Sequence, residues 1–576
     1  MSASRIGLRR LAIGLAQGLA LYLMFQTYEA RIWPATDLAT FQAILLPLFF
    51  APLAAIRADG HLPPRKLMIG LGGVVVLTAA LGAFEGYRVG GLLDARGWEP
   101  GPLLAGVAFI LFLGEALVVA GETDGKRLPR YQTYFEALSK HAVQLGVGVA
   151  FLGALWVLLY LGGSLFNLIK LEFLLDLIEE PWFAIPISTT GLAIAVHVTD
   201  MRGTLVRGLR TLAHALLSWL LPVLTLITLG FLASLPFTGL QPLWDTRFAA
   251  GLLLAVAAAL IVLINAVYED GAPENQPRGV QRWSMMAAMA LPAPLVAIAA
   301  HALFLRVGQY GWTTERVFAF ACILIGGCFG VGYLAALARG MKRLEETNMI
   351  ASFSAIAVIL ALLTPVADPV RISVASQVAR LEDGRTAPEA FDYRYLRFEG
   401  GRYGASVLAR MQAGEFKRAG VADRARQAAN LPPRFASAPI GRDDLPLNIT
   451  VAGGRALPES FLAQDWAATT KGKSVYPACL TRPGEKCEAF LLDLTADGSD
   501  EILLLQAGTA AAVLRHDGDR WLYGGFLPHR LACDDMRALL RSGEVRTTPS
   551  PWSDLEIGGV RMDVAEGDMF SIPDCP

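Results

Sequence analysis

From residue 11 to residue 367 the chain is a succession of apolar runs separated by short segments that carry most of the charge. Each run is about 20 residues long, the length of a helix that crosses a bilayer. The runs at 11–28, 38–56, 67–87, 102–121, 142–163, 182–199, 212–234, 248–268, 284–305, 317–338 and 349–367 predict eleven spanning helices. One stretch breaks the rhythm. LFNLIKLEFLLDLIEEPW (165–182) holds Lys170, Glu172, Asp176, Glu179 and Glu180, and a charge at the bilayer centre costs roughly 2.5–3.5 kcal/mol. Its remaining Leu, Ile and Phe predict an interfacial amphipathic helix near 165–181 instead.

Beyond residue 370 the pattern changes to charged, Pro- and Gly-rich sequence. Residues 371–381 read as a continuation of the last helix, with a further helix near 389–397 or 403–413, so that 371–445 forms a helical stalk or connector. From 446 to 576 come short apolar runs, LNITV, EAFLLDL, EILLLQ, AAVLRH and RWLYGGFL, with Asp-Gly turns at Asp497–Gly498 and Asp517–Gly518. Such runs predict a small antiparallel sheet, with a helix near 533–541. The fold class is mainly α: a polytopic helix bundle over residues 1–370 with a small C-terminal α+β domain.

Charge orients this arrangement. With the N-terminus inside, the inner segments carry eighteen Lys and Arg, among them Arg10, Arg57, Lys140, Arg339, Lys342 and Arg343, against seven in the short outer loops. Cytoplasmic loops are the ones enriched in Lys and Arg, so the N-terminus is expected in the cytoplasm. MSASRIGLRR followed by an apolar run without a clear cleavage site reads as a retained first helix. An odd number of crossings then puts the C-terminal domain in the periplasm. Four of the six cysteines (Cys479, Cys487, Cys533 and Cys575) lie there, in a compartment that supports disulfides. Of three connectivities, Cys479–Cys487 with Cys533–Cys575 is preferred, because the first pair is close in sequence and the second would tie down the tail. Cys322 and Cys328, inside an apolar run, read as buried packing residues.

A net charge of −1 gives no basic field for nucleic acid. HExxH, GxSxG and the dinucleotide-binding glycine pattern are missing, and GETDGKR (121–127) lacks both the spacing and the Ser/Thr of a phosphate-binding loop. Nothing in the sequence therefore argues for an enzyme. Small residues at Gly70, Gly72, Gly73, Gly146, Gly148, Gly326 and Gly330 have the spacing of close helix packing. Pro292 and Pro294 predict a broken helix. Polar groups at membrane depth are costly unless they face the interior, which makes Glu115, Asn265 and His301 candidate binding residues, with Gln144, His197 and His214 behind them. In the outer domain Asp493, Thr495, Asp497, Asp500 and Glu501 surround a glycine turn. No cofactor is expected, calcium being the one considered: alternating oxygens of this kind can chelate it, although position 12 is Leu504 and the flanks are strands. The alternative is a plain hairpin turn.

FEALSKHAVQLGVGVAFLGALWVLLYLGGSLF (135–166), LPFTGLQPLWDTRFAAGLLL (235–254), NAVYEDG (265–271) and FDYRYLRFEGGRYG (391–404) resemble the bacterial polytopic membrane family called domain of unknown function 4153. The resemblance covers most of residues 1–415 and implies a bacterial inner-membrane protein. It implies no activity and assigns no residue a role. Two functions are expected: transport or sensing of a small solute or lipid, with the bilayer and that ligand as partners; or, alternatively, a structural membrane anchor for a periplasmic interaction domain.

Overall fold

Apolar runs of bilayer length form helices because only a helix satisfies every backbone group within its own segment in lipid. The computed structural model describes residues 3–58, 63–90, 101–241, 249–430, 445–452, 455–470, 476–481, 485–495, 497–506, 511–518, 520–527, 534–542, 555–557 and 560–562. Its helices are α1 (Ala3–Glu29), α2 (Leu38–Ala58), α3 (Pro64–Val89), α4 (Gly101–Asp124), α5 (Tyr131–Asn167), α6 (Phe173–Glu179), α7 (Pro181–Met201), α8 (Gly203–Thr238), α9 (Ala249–Tyr268), α10 (Gly279–Met289), α11 (Pro292–Tyr310), α12 (Thr314–Arg339) and α13 (Lys342–Leu362). With α10 and α11 taken as one crossing, eleven segments among the described residues are long and apolar enough to span a membrane. The protein is a multi-pass membrane protein.

The chain divides into two units, Met1–Leu92 with Trp98–Arg426, and Leu93–Gly97 with Gln427–Pro576. The largest core of the first lies among α9–α12, where Leu260, Ile264, Met289, Leu295 and Tyr333 are buried. The break between α10 and α11 falls where Pro292 predicts it: the amides of Ala290 and Leu291 bond back to Ala287 and Ala288 in a tightened last turn. Pro186 and Pro222, by contrast, sit inside continuous helices.

Three local expectations change. Residues 165–181 are not one helix, because Lys170 adopts a left-handed φ of 61°. The Leu171 amide bonds to Phe166 O and the Lys170 amide to Asn167 O, a Schellman stop that ends α5 and leaves the seven-residue α6 separate. Residues 371–381 do not continue α13. The chain turns after Leu363 and starts α14 (Pro369–Glu382) afresh, capped by buried Asp368, whose Oδ1 accepts from Val370 N at 2.9 Å. Finally, Gly70, Gly72, Gly73 and Gly146 pack against nothing. A Cβ added at Gly330 would sit 2.9 Å from Ala293 Cα, so that expectation holds, while the tight approach of α2 to α3 is made at Gly82 and Gly86.

After α14 come α15 (Tyr393–Phe398) and α16 (Gly401–Gln412). These lie against helix ends of the same unit. Gln377 donates to Tyr310 O and Trp312 O at 3.0 and 2.9 Å, and Tyr395 OH donates to Ser373 Oγ at 2.8 Å. The Arg402 guanidinium stacks 3.8 Å over the Tyr87 ring at the end of α3 and bonds Tyr87 O. Burial and the neighbouring Asp368 carboxylate push the Tyr403 phenol above its ordinary value. The next helix, α17 (Val421–Ala429), straddles the unit boundary.

In the second unit, α18 (Leu445–Asn448), β1 (Ile449–Val451), α19 (Glu459–Ala463) and α20 (Trp466–Thr470) precede β2 (Cys487–Leu492), β3 (Glu501–Gln506), β4 (Ala511–Asp517) and β5 (Arg520–Leu527). They are followed by α21 (Asp534–Ser542) and a separate hairpin of β6 (Leu555–Ile557) and β7 (Val560–Met562). The main sheet has the order β1–β2–β3–β4–β5. It is not wholly antiparallel: β1 pairs with β2 in parallel, Ile449 opposite Cys487. A parallel pair requires a crossover, and α19, α20 and the segment after them supply it. Central β3 is buried on both faces, Ile502 and Leu504 towards Phe461 and Trp521, Leu503 and Leu505 towards Phe490.

Cys479 and Cys487 are bonded to each other and buried; Cys533 and Cys575 lie outside the described residues. A sequence separation of 8 corresponds to about 2.5 kcal/mol of loop-closure stabilisation. Replacing both cysteines by alanine is therefore expected to lower the urea midpoint of the C-terminal unit, read by pulse proteolysis of the intact protein. An unchanged midpoint would contradict a stabilising role for the bond.

Candidate functional site

Two polar groups form inside the helical unit, both at helix ends. The first centres on Asp200, in the last turn of α7. Its carboxylate receives Arg10 of α1 at 2.7 Å, Lys140 of α5 at 3.1 Å, and the Gln144 amide at 3.1 Å. Arg10 is 2 % exposed, Asp200 11 % and Lys140 39 %, so Arg10 is buried against this carboxylate while Lys140 is partly exposed. Nearby, Arg57 at the end of α2 meets Glu115 of α4 at 3.2 Å. A cavity of about 90 Å³ touches both through Arg57 and Gln144, and the rest of its lining is apolar, including Leu53, Ile56, Leu192 and Val196. Ligand sites run to roughly 300–1,000 Å³; this one has room for a few waters.

The second group closes one end of the core. Asn265 of α9 donates to Ile261 O and Tyr333 OH, both at 2.8 Å. Tyr333 donates to Asn348 Oδ1 at 3.0 Å, and Asn348 Nδ2 donates to Asn265 Oδ1 at 2.6 Å and Tyr131 OH at 3.2 Å. Tyr131 OH donates in turn to Glu269 O at 3.1 Å. Alongside, Tyr268 OH donates to Glu345 at 2.9 Å and Tyr134 OH to Ser352 at 2.9 Å. Four helices (α5, α9, α12 and α13) are tied by side chains whose donors and acceptors match one another. Such a knot fixes helix positions.

Of the residues singled out from the sequence, Glu115 and Asn265 thus enter different groups. His301 is exposed on α11, just before buried Ala302 and Leu303. Gln144 joins the Asp200 group, and His214 bonds Ala266 O at 3.3 Å. Sequence reasoning missed Asp200, Tyr131, Tyr333 and Asn348, and it treated Arg10, Arg57 and Lys140 only as markers of membrane side. All lie near span ends, where polar residues are expected without any site. Cys322 is exposed and Cys328 half-buried, neither in the core.

The acidic turn of the sheet unit connects Leu492 to Glu501, which face each other across β2 and β3. Asp493 accepts from the amides of Asp497 and Gly498 at 3.2 and 3.0 Å, and Asp497 from Ser499 N at 2.8 Å. Glu501 accepts from Leu494 N at 2.8 Å and the Thr495 hydroxyl at 3.2 Å, and Asp500 pairs with Arg455. Each of these carboxylates is turned to the loop's own donors or to Arg455. Among the described residues no three His, Cys, Asp or Glu side chains are grouped to hold a metal.

No curated protein and no solved structure matches the chain. A family model described as domain of unknown function (DUF4153) matches residues 44–405. That stretch contains the whole Tyr131–Asn265–Tyr333–Asn348 knot and the Arg57–Glu115 pair, and it omits Arg10 and the sheet unit. Because it covers well over half of the sequence, the chain belongs to the family of domain of unknown function 4153.

Proposed function

We propose that the protein moves or senses a small solute or lipid in the envelope of a bacterial cell, with the helical unit as the pathway. One observation carries this reading: the ion groups Arg10–Asp200–Lys140 and Arg57–Glu115 are held within helix packing, and Arg57 of one and Gln144, bonded to Asp200 of the other, line a small cavity. Charges in spanning segments are costly and concentrate along substrate and ion paths. With a cavity this small, the arrangement corresponds to a closed state, and the Arg57–Glu115 pair is the contact a charged or polar cargo would exchange with. Glu115→Gln is expected to abolish the flux or growth phenotype of the wild-type gene at unchanged protein level. A silent Glu115→Gln, together with a phenotype lost on deleting residues 445–576, would favour the anchor reading. The matched hydrogen bonds of the Asn265 knot are what recommend that second reading.

The proposed location is the inner membrane, N-terminus cytoplasmic and sheet unit periplasmic. Among the described residues, the hydrogen bonds between helix ends join ends that the Lys/Arg bias assigns to one side. The starts of α1, α5 and α13 meet the ends of α7, α9 and α12, while the ends of α3 and α11 meet α14–α16. The Cys479–Cys487 bond also suits a periplasmic unit. A reporter active only outside the cytoplasm should work when fused at Pro576 and fail when fused after Met341; activity at Met341 reverses the orientation.

A further inference from the structure

Between α12 and α13 runs an open groove of about 430 Å³, lined by Leu324, Gly327, Cys328 and Val331 on one side and Thr347 and Ile350 on the other. It is mostly apolar, and its one side-chain hydroxyl, that of Thr347, is donated to Arg343 O at 2.6 Å. Leu324, Val331 and Ile350 stand out as walls, 49 %, 70 % and 58 % exposed, and a Cβ built at Gly327 in the floor meets nothing within 4 Å. The rows of side chains that form the walls end in cations. On α12 the row Cys328–Val331–Ala335 leads to Arg339, eight residues or about 12 Å past Val331. On α13 the row Ile350–Glu346 leads back to Lys342. Glu346 is taken by Arg343 at 2.8 Å, and Glu345 turns away to accept from Tyr268. Arg339 and Lys342 are exposed and have no ion-pair partner among the described residues.

We propose that this groove holds one acyl chain of an anionic phospholipid, with its phosphate between Arg339 and Lys342. Both walls lie within spanning segments, so the surroundings of the groove are lipid, and basic pockets between spanning helices recognise anionic headgroups. The distance from the cations to Val331 places the middle of a chain in the groove when the phosphate is at the turn. A second copy of the protein fits less well. Paired about an axis along the membrane normal, it would bring its own Arg339 and Lys342 to the same end, cation against cation. The site stands whether the bundle transports, senses or anchors.

The test is native mass spectrometry of the purified full-length protein, extracted from vesicles of equal phosphatidylglycerol and phosphatidylethanolamine. One phosphatidylglycerol should persist at activation energies that strip the other lipids. Gly327→Leu, which fills the floor where there is space, should lower the retained fraction by about tenfold, equivalent to displacing roughly two buried methylenes. Gly70→Leu, also in open space but on α3, should leave it unchanged and controls for folding. Arg339→Gln with Lys342→Gln should keep a bound lipid but lose the preference for phosphatidylglycerol. Retention in Gly327→Leu equal to wild type overturns the site. A wild-type dimer that Gly327→Leu converts to monomer overturns it too, by assigning the groove to a second copy.

Discussion

Asp200→Leu is expected to destabilise the helical unit by roughly 3–5 kcal/mol, the cost of removing one partner from a buried ion pair. The loss falls mainly on Arg10, which is 2 % exposed, whereas Lys140 is 39 % exposed. Asp200→Asn keeps the shape and one acceptor and should lie between wild type and leucine. Removing the buried cation as well, as Arg10→Met with Asp200→Leu, should recover most of the loss, because an apolar pair of similar volume replaces the charges without a desolvation penalty. Thermal unfolding of the detergent-purified protein measures all three. Should Asp200→Leu melt with wild type, the Asp200 group contributes nothing to the packing of α1 against α7. A Glu115→Gln phenotype in that case would still test the pathway separately.

The second large effect is expected at Asn348. Leucine there removes three hydrogen bonds at once, leaving the Tyr333 hydroxyl proton without its acceptor and Asn265 Oδ1 with only the long 3.3 Å bond from Tyr131. Stranded buried polar groups cost about 1–3 kcal/mol each, moderated in membranes where partners are found elsewhere, so a total of about 2–4 kcal/mol is expected. Tyr333→Phe removes a single hydroxyl and should cost less than half as much. Because the two side chains share a bond, their effects should be less than additive in a double-mutant cycle. Ile350→Leu, on the exposed face of the same helix, provides the comparison. A melting temperature for Asn348→Leu indistinguishable from that of Ile350→Leu would mean that the knot does not hold the four helix ends.

Several elements were legible in the sequence for identifiable reasons. The number of crossings follows from bilayer thickness, which turns span length into a one-dimensional measurement; hence all eleven segments are recovered. The helix break before Pro292 follows from a missing amide proton, and the β4–β5 hairpin from Gly518, whose φ of 63° suits glycine in a turn from Asp517 to Arg520. The bond between Cys479 and Cys487 follows from proximity along the chain. Glu115 and Asn265 were identifiable because they are polar in apolar runs, but their partners were not.

What the sequence determined by itself is the one-dimensional part: where the chain crosses, where it turns, and which short runs are strands. The tertiary structure alone decided which faces meet. Lipid and protein interior are equally apolar, so Cys322, facing outward, and Leu295, in the core, are indistinguishable by hydrophobicity. The same holds for glycines: Gly70 and Gly82 read alike, yet only Gly82 has α2 against it. Pairing β1 in parallel with β2, laying α14–α16 against helix ends, and joining Asn348 to Tyr131 across 217 positions all depend on neighbours distant in sequence. No local pattern encodes such contacts, because their energy arises only when two surfaces are brought together.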